Sequence, residues 1–490
     1  MIILTRSKIG NVVSTERGPS FYIVPVRIDK EKDVKQGQLL YCQIAQGNGE
    51  SDSYCILRVS SAREFNPYED PQTSQIKEIF KLDSGSGNSE LIRKYMVADT
   101  EPIEVVVRTS SGLLLESPAI VVPSGAPVFD ELSDDLARAV LGFPKPDDKG
   151  SLTLGSTIGP RGTTVCLDAA RVLPRHILIV GSTGTGKSWL LGKIAEQLHT
   201  KGVRMINIDI HGEMNKAISE MGGDILVPGD TLKVPLSSLA EPEILGMVPL
   251  VNDLHIDILT RAVINLKSGR KQFGIDELLG EAESVADTYG VKQNTKDIID
   301  ARIKQLKTIP FIGEGVDWKA KLANDGTIIN IDCRYLQYSQ LQTVIAAITR
   351  DVYTARQKGV IPPIVMAVDE AHMFLPATEK AETATVLSQL IRMGRHIAFG
   401  LILVSQSPGD LDKRVAKITN TRFIFAIEPS ELSSIYGFLA DAPQQLIQNI
   451  PRMKTGTCLL VGNRETVRHA TIFEVGKRDT THGGDTPPMI

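Results

Sequence analysis

Gly181-Ser182-Thr183-Gly184-Thr185-Gly186-Lys187-Ser188 fits the pattern G-x-x-x-x-G-K-S/T and lies between an apolar run and an amphipathic one. Residues 176–180 read as a buried strand. Residues 189–198, apolar at Leu190, Leu191, Ile194, Ala195 and Leu198, read as the helix that follows. In that setting the glycines let successive N–H groups turn inward around phosphates, and the helix N-terminus adds its positive dipole end. Lys187 supplies a point charge for the β- and γ-phosphates, and Ser188 a hydroxyl for Mg²⁺. Gly181 to Ser188, with Trp189 next on the helix, form the expected ATP-contacting set.

A second signal separates hydrolysis from simple binding. Ile361-Pro362-Pro363 stops one element, and Ile364 to Val368 form an apolar strand ending in Asp369 and Glu370. Such a pair divides the work: the first carboxylate holds Mg²⁺, and the second polarises the attacking water. Asp369-Glu370-Ala371-His372 also spells the signature of a helicase superfamily with two motor domains per chain, and Arg392-Met393-Gly394-Arg395 looks like part of its arginine motif. Only roughly 120 residues follow the strand, too few for a second motor domain.

The 490 residues suffice for two or three domains, and 42% of them are apolar. No run of about 18 apolar residues offers a membrane span, and the polar residues 1–8 are no secretory signal. The five cysteines lack C-x-x-C spacing, against a zinc site or a disulfide framework. A cytoplasmic location fits. With 54 Lys plus Arg against 58 Asp plus Glu, the net charge is −4, so a polyanion must be gripped by local charge. The densest basic cluster, Lys267, Arg270 and Lys271, reads more readily as a solvated turn than as a DNA contact.

Short β-runs at residues 9–13, 21–26, 38–42, 54–59 and 103–108 predict an N-terminal all-β barrel or sandwich over 1–122. Residues 123–154 read as a linker with a short helix at 130–141. Strands at 177–180, 204–210, 327–333, 364–368, 398–404 and 422–427 alternate with helices and predict an α/β, mostly parallel, doubly wound core over 155–234 and 327–475. The interruption at 235–326 reads as an inserted helical bundle, with helices at 255–266, 274–289 and 294–309. Residues 476–490 read as a polar tail.

This order of elements resembles the HerA branch of the FtsK–HerA superfamily over nearly the whole chain. The resemblance rests on Arg175-His176 before the phosphate loop, Asp209-Ile210-His211-Gly212-Glu213 after the second strand, Asp369-Glu370-Ala371-His372, Arg392 and Arg395. It implies a RecA-like phosphate-loop ATPase core with an N-terminal HAS barrel, and a homohexameric, ATP-driven translocase on double-stranded DNA that works with a NurA-like nuclease. Similar ATPases in some bacteria partner antiviral effector enzymes, so a ring that binds ATP and organises an effector is the alternative to a motor.

By position, Arg395 matches the family's arginine finger, expected to reach a neighbouring subunit's γ-phosphate, although surface charge on a helix end would also account for Arg392 and Arg395. Gln406 matches its polar sensor, and Arg175 is a further nucleotide contact. Lys477 and Arg478 lie where the tail of such rings can brace the adjacent subunit near its nucleotide. Ile210 replaces the family's proline, which leaves the roles of His211 and Glu213 open against an ordinary strand-to-helix turn. A protein-unfolding AAA+ ring fits less well, because no helical lid domain follows Ile427.

Overall fold

The computed structural model describes residues 7–45, 53–65, 95–109, 112–130, 132–159, 162–269, 272–378, 381–439 and 441–483. Packing divides the chain into two units: Met1–Leu167 with Leu439–Val475, and Asp168–Phe438 with Gly476–Ile490.

The first unit opens with β1 (Lys8–Val12), β2 (Val24–Ile28), β3 (Leu39–Ala45), β4 (Ser53–Phe65), β5 (Tyr95–Thr109), β6 (Gly112–Glu116) and β7 (Pro127–Phe129). Neighbours run β2-β1-β7-β3-β4-β5, and β5 pairs back to β2, so six antiparallel strands close a barrel while β6 extends from β5 alone. Alternation sorts the side chains. Leu40, Cys42, Cys55 and Leu57 point into a core with Ile9, Val26 and Val128. The intervening Tyr41 and Ile56 face outward and pack with Ile103 and Val106 against Leu136 and Val140. The helix carrying those two, Asp134–Leu141, is capped by Ser133 and ended by Gly142 in the left-handed conformation.

Two expectations about the linker and the barrel change here. Pro127–Phe129 falls in the expected linker yet supplies the strand that joins β1 to β3. Phe21 and Tyr22, expected in a strand, are exposed outside one. Strands β8 (Ser151–Thr157) and β9 (Thr164–Asp168) follow.

The second unit is built on β10 (Ile177–Val180), β11 (Arg204–Asp209), β12 (Asp224–Leu226), β13 (Ile328–Asp332), β14 (Ile364–Val368), β15 (Phe399–Ser405) and β16 (Thr421–Ile424). They lie in the order β12-β13-β11-β14-β15-β10-β16, with parallel pairing throughout. This is the parallel α/β core that the alternation of strands and helices predicts. Strands covered on both faces must be apolar along their whole length, and β10, β14 and β15 are buried at every residue. The three-residue β12 is too short to leave a periodic signal. Between β12 and β13 the chain is helical, with Asp253–Ser268, Ile275–Thr288 and Gln293–Lys304 as the main helices.

The chain then returns to the first unit with β17 (Thr457–Gly462) and β18 (Thr471–Val475), and β18 pairs antiparallel with both β17 and β8. Residues 327–475, read from sequence as one stretch of core, thus divide at Leu439. Arg58 explains the attachment. Its guanidinium, almost fully buried, donates to Ala470 O at 2.6 Å, Asp441 O at 2.8 Å and Glu101 Oε2 at 2.7 Å. His469 bridges Glu104 at 2.7 Å and Asp441 at 3.1 Å. Buried charges persist only where paired in this way. Among the described residues all five cysteines are buried and free, and no helix is long and apolar enough to cross a membrane.

Candidate functional site

The C-terminal ends of β10, β15, β14 and β11 lie side by side, and the site grows from the loops that leave them. After β10 the chain turns through Gly184 (φ +76°) and Gly186 (φ +117°) before the helix Lys187–Thr200. Both glycines occupy left-handed conformations that side chains resist. Gly181 answers a different need, since a Cβ there would come 2.5 Å from Phe425 Cβ. Thr185 Oγ1 and Lys187 Nζ donate to Ser182 O at 2.7 and 3.0 Å, which folds the lysine back over the loop. Burial pushes the Lys187 ammonium below the usual lysine range, while Glu370, Asp369 and Glu213 oppose that shift.

Glu370 leaves the end of β14 in the left-handed conformation (φ 47°, ψ 47°), a strained choice for a side chain with a Cβ. Its carboxylate is buried between two histidines, His211 Nε2 at 3.7 Å from Oε1 and His372 Nδ1 at 3.3 Å from Oε2. Neither contact gives Oε2 a hydrogen bond within the protein. His372 Nδ1 also lies 3.2 Å from Ser405 Oγ at the end of β15. The next residue, Gln406, accepts a 2.8 Å hydrogen bond from Thr183 of the phosphate loop. Because β15 separates β10 from β14, its tip places Ser405 and Gln406 between the phosphate loop and the paired carboxylates.

Asp209 organises the turn after β11. Its Oδ1 accepts from the His211 and Gly212 N–H groups at 3.1 and 2.7 Å, and its Oδ2 from Met214 N–H at 2.9 Å and Asn330 Nδ2 at 3.0 Å. Asn330 also accepts from Asn207 at 2.7 Å and donates to Asn215 at 2.7 Å, and Asn215 donates to Asp332 at 2.7 Å. The resemblance pointed to the segment 209–213. Asn207 and Asn330 were missed, and their only signal was a polar residue in the middle of each apolar strand.

Burial first, then the Glu370 and Asp209 carboxylates, pushes the Asp369 carboxyl up to about 7. Crowded carboxylates of this kind accommodate a cation. Among the described residues no three His, Cys, Asp or Glu are placed to hold a metal by themselves. Asp369 and the Ser188 hydroxyl supply oxygen donors of the kind Mg²⁺ takes alongside nucleotide phosphates, an ion that keeps few protein ligands.

Arg392, in the last turn of the helix Glu382–Met393, and Arg395, just beyond it, are both exposed. Arg175 is half-buried and donates to Arg171 O at 2.9 Å. Beside it, His176 is buried with φ 63°, shares a 2.8 Å hydrogen bond with Ile391 O, and accepts from Leu401 N–H at 3.1 Å through Nδ1. Accepting through Nδ1 fixes the proton on Nε2, and burial holds this imidazole down at about 4. Trp189 donates from Nε1 to Gly476 O at 3.0 Å. Lys477 is exposed, whereas the Arg478 side chain is buried along the helix Lys187–Thr200 of its own chain, 3.6 Å from Glu196. Lys267 donates to Ser237 O and Leu239 O at 3.3 and 2.6 Å, so this cation is committed within the fold, while Arg270 and Lys271 lie outside the described residues.

Residues 152–352 match the family described as the central domain of the helicase HerA, and residues 325–475 match an AAA-like domain. A probable helicase of Methanocaldococcus jannaschii is 23% identical over 407 residues, covering 77% of this chain and 75% of its own. The DNA double-strand break repair helicase HerA of Sulfurisphaera tokodaii is 22% identical over 403 residues, covering 77% of this chain and 78% of its own. Among solved structures, VirB4 of Thermoanaerobacter pseudethanolicus aligns with 69% of this chain and 99% of its own, at 16% identity and a TM-score of 0.49.

Proposed function

We propose, for a chain that belongs to the HerA family of phosphate-loop ATPases, that ATP hydrolysis drives it along double-stranded DNA as a homohexameric ring that feeds DNA ends to a partner nuclease. One observation carries the reading: Lys187, Asp369 and Glu370 converge at the ends of β10 and β14, with Gln406 at the tip of the strand between them. The loop N–H groups and Lys187 hold the triphosphate. Ser188 and Asp369 hold Mg²⁺, which when bound neutralises phosphate charge. Glu370, buried and with Oε2 lacking a hydrogen bond in the protein, orients and deprotonates the attacking water. Its position between His211 and His372 gives the proton neighbouring bases to reach. Exposed Arg395 is free to enter a neighbour's site and stabilise transition-state charge, as an arginine finger does.

DNA contact in a chain of net charge −4 falls to a few cationic or amide-bearing loops repeated six times around a channel, in the cytoplasm where duplex ends arise. Lys267 is not among them, because the fold has committed its charge. The test is ATP turnover with and without blunt duplex DNA across a salt series. Strong stimulation that fades steeply with salt is expected. Turnover indifferent to DNA would overturn the motor reading and favour a ring that organises an effector enzyme.

A further inference from the structure

The tail beyond β18 does more than trail from the fold. Its first residue, Gly476, accepts the Trp189 indole hydrogen bond one residue after Ser188. Arg478 then enters a notch on the helix Lys187–Thr200. The notch exists because residue 192 is glycine, and a Cβ there would overlap the guanidinium. The Arg478 side chain is 1% exposed, with Cζ 5.5 Å from the Trp189 ring centroid. One turn further on, Glu196 Oε1 accepts from Asp479 N–H, Thr480 N–H and Thr480 Oγ1 at 3.0, 2.8 and 2.6 Å. Lys193 holds the other oxygen at 3.3 Å. Three donors on one buried carboxylate oxygen, with a buried guanidinium beside it, are a built attachment rather than a chance contact.

The segment continues across the surface of the same unit. Thr481 N–H donates to Glu220 Oε2 at 2.7 Å, on the helix Asn215–Glu220. Gly483 passes so close to the turn after β11 that a Cβ would come 2.6 Å from Glu213 O. Eight residues thus tie the helix that begins with Lys187 and Ser188 to the turn that carries His211 and Glu213.

We propose that Gly476 to Gly483 is an intramolecular strap that positions the phosphate-loop helix against the Asp209–Met214 turn for ATP binding, with Glu196 as its anchor and Gly192 as the notch that admits Arg478. The assignment rests on the ATPase reading of the site. Releasing the strap lets the helix sample orientations in which Lys187 and Ser188 are misaligned, so apparent affinity falls by the fraction of time the site is competent. Bound nucleotide reseats the helix, so the chemical step is spared.

The experiment uses the full chain with Gly192→Ala, which keeps every charge and fills the notch, and Thr480→Val, which removes one anchoring hydroxyl without changing shape. Amide exchange over residues 476–483 reports attachment, and steady-state turnover reports KM and kcat separately. Both variants are expected to lose protection at Asp479 and Thr480, with KM for ATP raised about tenfold and kcat within about twofold of wild type. Lost protection with unchanged KM overturns the proposal, as does a wild-type tail that is unprotected from the start. A protected wild-type tail on a chain without ATP turnover, in the presence of magnesium and duplex DNA, would instead sink the ATPase reading and the strap's role with it.

Discussion

Asp209→Asn changes one atom and should undo the turn that carries His211 and Glu213. The carboxylate accepts four hydrogen bonds, two on each oxygen. An asparagine keeps one accepting oxygen, which can still serve the His211 and Gly212 N–H groups. Its NH₂ group then faces two other donors, Met214 N–H and Asn330 Nδ2. Two charge-assisted bonds are lost at about 1.5–3 kcal/mol each, and partial relaxation of the turn brings the expected cost to about 3 kcal/mol. At about 1.4 kcal/mol per decade, amides of residues 211–214 should exchange roughly 100-fold faster than in wild type. ATP turnover should fall in parallel, because Glu370 loses the His211 side of its setting. Exchange within threefold of wild type, in a variant whose other segments remain protected, would refute the claim that this carboxylate builds the turn.

Lys187→Ala should abolish ATP binding, whereas Glu370→Gln should bind ATP and lose turnover by at least about 100-fold, measured by equilibrium binding and phosphate release. Mixing Glu370→Gln with Arg395→Ala subunits should restore part of the activity, because some interfaces then pair an intact carboxylate with an intact arginine. No recovery at any ratio, with hexamers confirmed by light scattering, would count against action across the interface. His176, held at about 4 when folded against 6.5 as its ordinary value, binds fewer protons folded than unfolded between those values. Its stabilising contribution is therefore present above pH 6.5 and is lost as pH falls toward 4, by about 2 kcal/mol at pH 5. Wild type should lose more thermal stability than His176→Gln between pH 7 and 5, and equal losses would refute the depressed value.

The phosphate loop and the strand ending in Asp369 and Glu370 were legible because each is a local pattern: an apolar run, a turn with a fixed residue requirement, then a helical period. The tertiary fold was needed wherever a residue's partner is far away in the chain. Pro127–Phe129 looks like a linker until β1 and β3 flank it. Tyr41 and Ile56 make β3 and β4 apolar on both faces for a reason visible only when Leu136 and Val140 cover the barrel. Lys267 reads as surface charge, yet two carbonyls claim it.

By itself, the sequence determined that this chain has a phosphate-loop site with a carboxylate pair and a β-rich N-terminal part, because those features depend on neighbours a few residues apart. Only the tertiary structure decided which polar groups share that site. Asn207 and Asn330 are buried in separate strands and hydrogen-bond to one another across 123 residues of sequence. Arg478 reaches Glu196 only because the tail folds back over Gly192. A buried polar group must find its partner in space, and distance along the chain carries no record of which partner that will be.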